Sequence, residues 1–332
     1  MTSFKALRVH VHDRSTQARF EDLQVGELSA GNVLVRVCWS GINYKDALAV
    51  TGKGRIIKSF PRVPGVDLAG IVERSEDIRY KPGDRVLVTG CGIGESLDGG
   101  YAEFARLPAS ILVPLPANLT MREAMAIGTA GFTAAFALRR LLDNHQTPEL
   151  GPIAVTGPTG GVGSYAIDLF KRKGFAVHAI SGKAEACGAY LRALGADEVI
   201  SRQGLTLGTR PLESMLWGGA VDNLGGEMLG WLLRTTRSFG NVACIGLAAS
   251  AELPATVMPF ILRGVSLIGL HSVECPRPWR EALWASLNDD WKPRHIERIA
   301  AQEIVLDDLP AACDALIAGS VQGRMLVRIA GG

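Results

Sequence analysis

Several classes of protein are excluded by what this sequence lacks. It has no uninterrupted apolar run of about 18 residues, so no membrane-spanning helix is expected. Its start, MTSFKALRVHVHDR, lacks the apolar core of a secretory signal peptide. The 35 lysines and arginines barely exceed the 33 aspartates and glutamates. The sequence also lacks a basic stripe with interleaved aromatic residues, which a nucleic-acid-binding protein would be expected to have. We expect a cytoplasmic protein that binds small molecules, with no nucleic acid and no membrane as partner.

Cysteine is also sparse, and its spacing indicates neither a disulfide framework nor a metal site. The sequence has no C-x-x-C pair and no close Cys/His cluster. The six cysteines are Cys38, Cys91, Cys187, Cys244, Cys275 and Cys313. They are predicted to be reduced thiols, and no metal ligand is assigned.

The pattern of predicted strands and helices changes along the chain, which predicts two domains. Up to about residue 122, short β-rich runs such as NVLVRVCWS are broken by Gly and Pro. From residue 123 strands and helices alternate, which predicts an α/β fold with a doubly wound parallel sheet, and Gly174, Gly195 and Gly240 are expected to end helices. The tail reads strand, helix, strand and is expected to return to the first domain. The predicted domains are therefore residues 1–122 with 293–332, and residues 123–292.

A glycine-rich turn, VTGPTGGVGS, follows the predicted strand at 153–156 and leads directly into a helix. This order of elements is the context of a dinucleotide fingerprint, in which the helix amino terminus binds a pyrophosphate. The spacing departs from G-x-G-x-x-G, and a tight strand-to-helix turn without a ligand is the alternative. The residues predicted to bind a cofactor here are Gly157, Thr159, Gly160, Gly161, Val162 and Gly163.

The end of the next strand indicates which dinucleotide is bound. An NAD site usually places Asp or Glu there to accept from the ribose 2′-hydroxyl. This sequence has Ser181-Gly182-Lys183, and Arg202 follows the third strand. A hydroxyl and cations suit a 2′-phosphate, so NADPH is the predicted cofactor. Solvated surface charges are the alternative for Lys183 and Arg202.

The densest polar stretch of the first domain is SGINYKDALAVTGKG, residues 40–54. Asn43 and Asp46 have the spacing of a helix cap, which would explain both without catalysis. The Tyr44 phenol could bond a substrate carbonyl or deliver a proton, and a core tyrosine is its alternative. These three residues are the candidate catalytic residues.

Six motifs occur in order along nearly the whole chain: SGINYKDALAVTGKG, FPRVPGVDLAG, YKPGDRVLVTG, AMAIGTAGFTAAFAL, VTGPTGGVGS and ATVMPFILRGVSLIG. In these the chain resembles the zinc-free medium-chain dehydrogenase/reductases, and among them the acryloyl-CoA reductase branch of the quinone-oxidoreductase-like proteins. The resemblance implies a GroES-like β-rich catalytic domain, a Rossmann domain, NADPH, and a homodimer formed through the last Rossmann strand, near Val265 to Leu270. Zinc-containing members of the superfamily carry a ligand cysteine at the position of Gly41-Ile42-Asn43 in this chain. They carry a GHE motif where this chain has PGVDLAG. Because both ligands are missing, the resemblance implies a protein without catalytic zinc.

The resemblance also implies further contacts to the cofactor. Thr129 matches a position near the nicotinamide, although a helix-start threonine is the alternative. Gly246, Leu247 and His271 lie at later strand ends that flank the ring, and His271 has a structural role as its alternative. Arg324 matches a position in the returning carboxyl-terminal strand, with a surface salt bridge as its alternative.

Together these features predict hydride transfer from NADPH to the β-carbon of a conjugated alkene and protonation of the α-carbon, without a metal. Tyr44 and Asn43 are assigned to the carbonyl or proton-delivery side and Asp46 to orienting them. The expected reaction converts acryloyl-CoA to propionyl-CoA. Reduction of quinones or small enones is the alternative, and a non-catalytic NADPH-binding protein is a remote one. The basic run GKGRIIKSFPR could meet coenzyme A phosphates or be a solvated loop.

Overall fold

The structure is a computed structural model that describes residues 3–12 and 15–329. The chain divides into two compact units. Unit 1 comprises Met1–Phe132, Ser272–Asp290 and Ile296–Gly332. Unit 2 comprises Thr133–His271 and Trp291–His295.

The amino-terminal part of unit 1 is rich in β structure, as its Val-rich and Gly-broken runs predict. Its elements are β1 (Phe4–His12), β2 (Ser15–Leu23), β3 (Val33–Gly41), α1 (Tyr44–Thr51), β4 (Asp67–Ser75), β5 (Arg85–Thr89), β6 (Phe104–Leu107) and β7 (Val113–Pro114). β1 and β2 form an antiparallel pair, while β3, β4 and β5 pair antiparallel in a larger sheet. The buried valines of β3 and β5 pack in one core on this sheet.

Unit 2 contains a six-stranded sheet with strictly parallel pairing. After α2 (Met121–Asp143) its elements are β8 (Ile153–Thr156), α3 (Gly161–Arg172), β9 (Val177–Ser181), α4 (Ala184–Ala193), β10 (Glu198–Ser201), β11 (Trp217–Asp222), α5 (Gly226–Thr235), β12 (Thr236–Cys244), α6 (Met258–Arg263) and β13 (Ser266–Gly269). The strand order β10-β9-β8-β11-β12-β13 reverses direction between β8 and β11. This is the doubly wound topology, whose ligand crevice lies where the order reverses.

The carboxyl-terminal part of the chain lies largely in unit 1. Its elements are α7 (Arg277–Asn288), α8 (Ile296–Ile299), β14 (Gln302–Val305), α9 (Leu309–Ile317) and β15 (Met325–Arg328). β15 pairs antiparallel with β3, and β14 pairs with β15. The resulting sheet runs β14-β15-β3-β4-β5-β7, with β6 also on β3. The α/β fold class with a Rossmann sheet and a second, β-rich domain is therefore confirmed.

The compact units have different bounds from the predicted domains because α7 packs on unit 1. The Arg280 guanidinium donates to Thr89 O at 2.6 Å. The Trp284 indole stacks on Phe132 with the ring centroids 6.0 Å apart. These contacts bring residues 272–290 into unit 1, whereas the sequence pattern placed them in the Rossmann domain.

The structure also corrects the expected role of Gly240. Gly174 and Gly195 follow α3 and α4 with positive φ angles, as predicted for helix ends. Gly240 instead lies inside β12. A Cβ at Gly240 would lie 2.3 Å from Gly218 O, so the glycine allows two strands to approach closely.

Across the described residues, no helix combines the length and the apolar character needed to cross a bilayer.

Candidate functional site

The first candidate site lies in unit 1, at the amino terminus of α1. Asn43 is the N-cap residue, with an extended backbone (φ −108°) before the helix begins at Tyr44. The Asp46 carboxylate accepts the Asn43 backbone N–H at 2.9 Å and the Val66 N–H at 2.9 Å. The predicted cap is therefore present, and Asp46 also fixes the chain that enters β4.

The Asn43 side chain does more than cap the helix. Its amide nitrogen, Nδ2, donates to Asp67 Oδ2 at 2.8 Å and to Asp46 Oδ2 at 3.2 Å. Its oxygen, Oδ1, accepts from Arg324 Nη1 at 2.7 Å. Because both amide hydrogens have carboxylate acceptors, the geometry favours a positioning role for Asn43 over donation to a substrate carbonyl.

Asp67 is the hub of this network and is completely buried. Its Oδ2 accepts from Arg324 Nη2 at 3.0 Å, and Arg324 Nη2 also donates to Met125 O at 3.1 Å. Its Oδ1 accepts from the Thr129 hydroxyl at 2.5 Å, and the Thr129 N–H bonds the same carboxylate at 3.0 Å. We call Asn43, Asp46, Asp67, Thr129 and Arg324 the polar network.

The polar network distinguishes a buried from a surface salt bridge for Arg324 and limits the hydrogen bonds that the Thr129 hydroxyl can make. Arg324 is only 2% exposed, so its salt bridge is buried and is not a surface pair. The Thr129 hydroxyl hydrogen is donated to Asp67, so this hydroxyl can meet a cofactor amide only as an acceptor.

A break in α2 makes room for these contacts. Gly128 adopts φ 48° and ψ −158° within the helix. A Cβ there would lie 2.3 Å from Arg324 Nη2 and 2.6 Å from Asp67 Oδ2. A larger residue would therefore displace the ion pair as well as strain the backbone.

The charge of Asp67 affects the ionisation of Asp46. Burial, together with the nearby charge of Asp67, raises the pKa of the Asp46 carboxyl from its usual 3.8 to about 7. The buried Tyr101, whose hydroxyl donates to Gly41 O at 3.2 Å, lies behind this site, and burial raises its pKa well above 10.0. The interior behind α1 therefore disfavours additional negative charge.

Tyr44 differs from its neighbours because its side chain is 51% exposed. The alternative of a core tyrosine is thus excluded. Within residues 3–12 and 15–329, no group hydrogen-bonds its hydroxyl. The phenol stands directly after a fully bonded Asn43 and is available to an incoming ligand.

The second candidate site lies in unit 2, where the carboxyl ends of parallel strands meet at one edge of the sheet. Most of the cofactor residues predicted in this unit follow one of these strand ends. Gly157 follows β8, Lys183 follows β9, Arg202 follows β10, Gly246 follows β12 and His271 follows β13. The structure therefore brings these residues to the same edge of the sheet.

The glycine-rich turn has the form of a phosphate cradle. Gly160 is the N-cap of α3, and the first amide to bond back into the helix is that of Ser164, which donates to Gly160 O at 2.9 Å. The amides of Gly161, Val162 and Gly163 thus precede the helical ladder. A Cβ at Gly163 would lie 2.4 Å from Gly157 O, so only glycine permits this tight turn. The residues present fit the diphosphate of a dinucleotide.

The residues predicted to read the 2′-position come together as well. Ser201 of β10 is in register with Ser181 of β9, so Arg202 follows beside Gly182. A Cβ on Gly182 would lie 3.2 Å from Arg202 Nη2. The Ser181 hydroxyl accepts the Lys183 N–H at 3.0 Å, while the Lys183 and Arg202 side chains are exposed. A hydroxyl and two cations at this strand end fit a 2′-phosphate.

The remaining predicted residues lie at the later strand ends. A Cβ at Gly246 would lie 2.5 Å from Asn223 O, so this glycine lets the β12 end pack against the β11 end. Leu247 is 68% exposed, and His271 is exposed. Asp222 at the end of β11 is buried and accepts from the Thr156 hydroxyl at 2.6 Å, and burial raises its pKa.

Asp67 is the site residue that the sequence reasoning missed. It stands in PGVDLAG, a segment that contributes to the family resemblance and lacks the zinc ligand, but no role was assigned to its aspartate from the sequence. The available signal was a charged residue at the start of the apolar run DLAGIV. In the described part of the chain, no group of three or more His, Cys, Asp or Glu residues is arranged to hold a metal ion.

Comparisons with known proteins give consistent matches. The family described as alcohol dehydrogenase GroES-like domain matches residues 29–117, and that described as zinc-binding dehydrogenase matches residues 161–288. An Escherichia coli protein named probable acrylyl-CoA reductase AcuI is 45% identical over 98% of this chain and 99% of its own.

Two further proteins add bound dinucleotides. Bacillus subtilis YhfP, named a putative quinone oxidoreductase, is 43% identical over 99% of both chains. A crystal structure of yhfP with NAD bound matches with a TM-score of 0.95 at 42% identity, covering 99% of this chain and all of that one. The yhdH oxidoreductase from Salmonella enterica in complex with NADP matches with a TM-score of 0.94 at 47% identity, covering 98% of this chain and all of that one.

Proposed function

Because this chain belongs to the zinc-free medium-chain dehydrogenase/reductases, in the branch of quinone-oxidoreductase-like proteins that includes acryloyl-CoA reductases, we propose that it reduces the conjugated C=C bond of an α,β-unsaturated acyl thioester with NADPH. Acryloyl-CoA is the first candidate substrate, with propionyl-CoA as product. The name of the E. coli relative, which matches over nearly the full length of both chains, supports this choice.

The single observation that carries the proposal is the contrast between Tyr44 and the residue before it. Asn43 is fixed by Asp46, Asp67 and Arg324 at distances of 2.7 to 3.2 Å. Tyr44 is exposed and has no partner among the described residues. The Tyr44 hydroxyl is therefore a hydrogen-bond donor at a helix end whose N-cap residue is held in place. Such a donor can stabilise a substrate carbonyl oxygen on which negative charge develops.

When bound, NADPH supplies the hydride for the β-carbon of the substrate. Tyr44 donates its hydroxyl hydrogen bond to the thioester carbonyl oxygen and stabilises the charge that develops there. Asn43 does not touch the substrate; with Asp46, Asp67 and Arg324 it holds the first turn of α1 in place. The α-carbon takes its proton from water that the Tyr44 phenol orients, or from the phenol itself, which then regains a proton from solvent water.

The cofactor assignment is supported by residues of unit 2. The first-turn amides of α3 bind the diphosphate, and Ser181, Lys183 and Arg202 bind the 2′-phosphate. No carboxylate stands at 181–183 to accept from a ribose 2′-hydroxyl. The Salmonella structure contains NADP, whereas the Bacillus one contains NAD, so preference for NADPH is a specific part of the proposal.

A quinone or small-enone oxidoreductase is the second candidate function. The name of the Bacillus relative favours it. The same Tyr44 donor would serve a quinone equally well, because in both reductions negative charge develops on a carbonyl oxygen.

We also propose a cytoplasmic homodimer. All six cysteines are free thiols, which suits a reducing compartment. Within the described residues, β13 pairs only with β12, so one of its edges can accept a strand from a second copy. Exposed apolar side chains on the neighbouring α6, Ile261 and Leu262, would be covered in such a dimer. Sedimentation of the wild type against Leu262→Asp tests this, since a lower mass is expected only for the variant.

The test of the reaction is the initial rate of NADPH oxidation with acryloyl-CoA, crotonyl-CoA and benzoquinone as separate acceptors. The proposal expects the highest kcat/KM with acryloyl-CoA. Turnover with benzoquinone alone would establish the second candidate instead.

A further inference from the structure

Residues 52–62, GKGRIIKSFPR, form a cationic segment that directly follows α1. The segment contains Lys53, Arg55, Lys58 and Arg62 and has no acidic residue. The polar network explains none of these charges. The contacts of each side chain show which of these cations has a structural role.

Arg62 has a structural role. Its Nη1 lies 3.3 Å from the buried Asp98 carboxylate and donates to Ser29 Oγ at 2.6 Å. Its backbone exchanges two hydrogen bonds with Val9 of β1, at 2.8 and 3.0 Å. Arg62 therefore anchors the end of the segment on the sheet and its charge is neutralised.

The other three cations are used differently. The side chains of Lys53, Arg55 and Lys58 are exposed. In the described portion of the chain, none of them has a carboxylate or any other side-chain partner. Three positive charges within six residues repel one another, so an anionic ligand would relieve an existing electrostatic cost.

The backbone that carries these cations is held in place. A Cβ on Gly52 would lie 1.9 Å from Thr16 Oγ1, which shows how closely the start of the segment approaches β2. The Lys58 N–H donates to Glu95 O at 3.0 Å. Phe60 adds an exposed aromatic ring to the same segment. Cations on a backbone that is held in place, beside an exposed ring, have the chemistry that recognises a phosphorylated nucleoside, through ion pairs and base stacking.

The segment also has a fixed relation to Tyr44. Helix α1 begins at Tyr44 and ends at Thr51, so its eight residues separate the phenol from the segment by roughly 12 Å of helix. The extended pantetheine arm of coenzyme A spans such a distance. A thioester carbonyl at Tyr44 and a nucleotide at residues 53–60 can thus belong to one ligand.

We infer that Lys53, Arg55 and Lys58 bind the 3′-phosphate and diphosphate of a coenzyme A thioester, with Phe60 against its adenine. This inference rests on the proposed function, since it names the part of the substrate that lies beyond the reacting thioester. It makes the segment a specificity site that separates coenzyme A thioesters from free enones and quinones.

The test compares two substrates that share the reacting group. Acryloyl-CoA carries the nucleotide, and acryloyl-pantetheine does not. The variant Lys53→Ala/Arg55→Ala/Lys58→Ala is expected to raise KM for acryloyl-CoA about tenfold at low salt, because each exposed ion pair contributes only a few-fold. It is expected to leave kcat for acryloyl-CoA, and both parameters for acryloyl-pantetheine, unchanged.

A matched control removes three exposed cations elsewhere in unit 1. Arg74→Ala/Lys81→Ala/Arg85→Ala changes the net charge equally and is expected to leave KM for acryloyl-CoA as in the wild type. An equal rise of KM in both triple variants would show long-range attraction only and would overturn the inference. An unchanged KM in the first variant would also overturn it.

A binding measurement separates this inference from the proposed reaction. Adenosine 3′,5′-bisphosphate is titrated calorimetrically into protein saturated with NADPH. Binding to the wild type and to the control, with loss in the Lys53/Arg55/Lys58 variant, supports the site even if no thioester is reduced. Equal binding to all three proteins contradicts it even if acryloyl-CoA proves to be the substrate.

Discussion

The Arg324 guanidinium and the Asp67 carboxylate form a buried ion pair, with Nη2 and Oδ2 3.0 Å apart although the two residues are 257 positions apart in the chain. Arg324 precedes β15 of the returning tail, and Asp67 begins β4. The pair thereby links the returning tail to the amino-terminal segment of unit 1, and both partners hydrogen-bond Asn43.

Loss of one partner of this pair is expected to destabilise the protein strongly. Asp67→Ala leaves the Arg324 charge buried without its carboxylate, which costs about 3–5 kcal/mol. Urea unfolding measures the change in the free energy of unfolding. The control Asp143→Ala removes the partner of Arg139 from an exposed pair on α2 and is expected to cost less than about 1 kcal/mol. Equal effects of the two substitutions would contradict the central place of Asp67.

Removal of the Tyr44 hydroxyl is expected to impair turnover without impairing the fold. Tyr44→Phe should lower kcat for acryloyl-CoA by about 10²-fold or more, because the donor to the carbonyl oxygen is lost. Its melting temperature should match that of the wild type, since the side chain is half-exposed.

Tyr80→Phe is the matched control, with the opposite pattern. The Tyr80 hydroxyl is buried and donates to Leu112 O at 2.7 Å, so this variant should lose about 1 kcal/mol of stability and keep its turnover. Undiminished kcat in Tyr44→Phe would remove the role assigned to that phenol.

The raised pKa of Asp46 predicts a pH-dependent contribution to stability. The carboxyl titrates near 3.8 when unfolded and at about 7 when folded, so the folded state binds more protons between these values. Its contribution is therefore full below about pH 4 and is lost as the pH rises to about 7. The free energy of unfolding of the wild type minus that of Asp46→Asn should fall over this window and stay level above it. A difference that is independent of pH would contradict the shift.

The choice of dinucleotide should depend on the cations at the ends of β9 and β10. Lys183→Ala/Arg202→Ala is expected to raise KM for NADPH by roughly tenfold and to leave KM for NADH unchanged, because only NADPH carries the 2′-phosphate. Arg192→Ala, which removes an exposed cation from the later part of α4, serves as the control. A parallel rise of both KM values would indicate a general effect on the site rather than recognition of the phosphate.

The local patterns of the sequence predicted the fold well, because alternating strands and helices and the glycine-rich turn are local signals. The prediction that Gly240 ends a helix was wrong, because a glycine at a helix end and a glycine that lets two strands approach closely cannot be told apart in the sequence. The polar network could be predicted only in part. Asn43 and Asp46 are three residues apart, whereas Asp67 comes beside them only when β4 pairs with β3, and Arg324 only when β15 pairs with β3.

The measurement that bears most directly on the proposed reaction follows the hydrogen transferred from NADPH that carries deuterium at both C4 positions. Acryloyl-CoA is offered to the wild-type protein in ordinary water, and the propionyl-CoA formed is examined by NMR. We expect one deuterium on the β-carbon and a solvent proton on the α-carbon. Deuterium on the α-carbon, or no propionyl-CoA under conditions where benzoquinone is reduced, would contradict the proposed function.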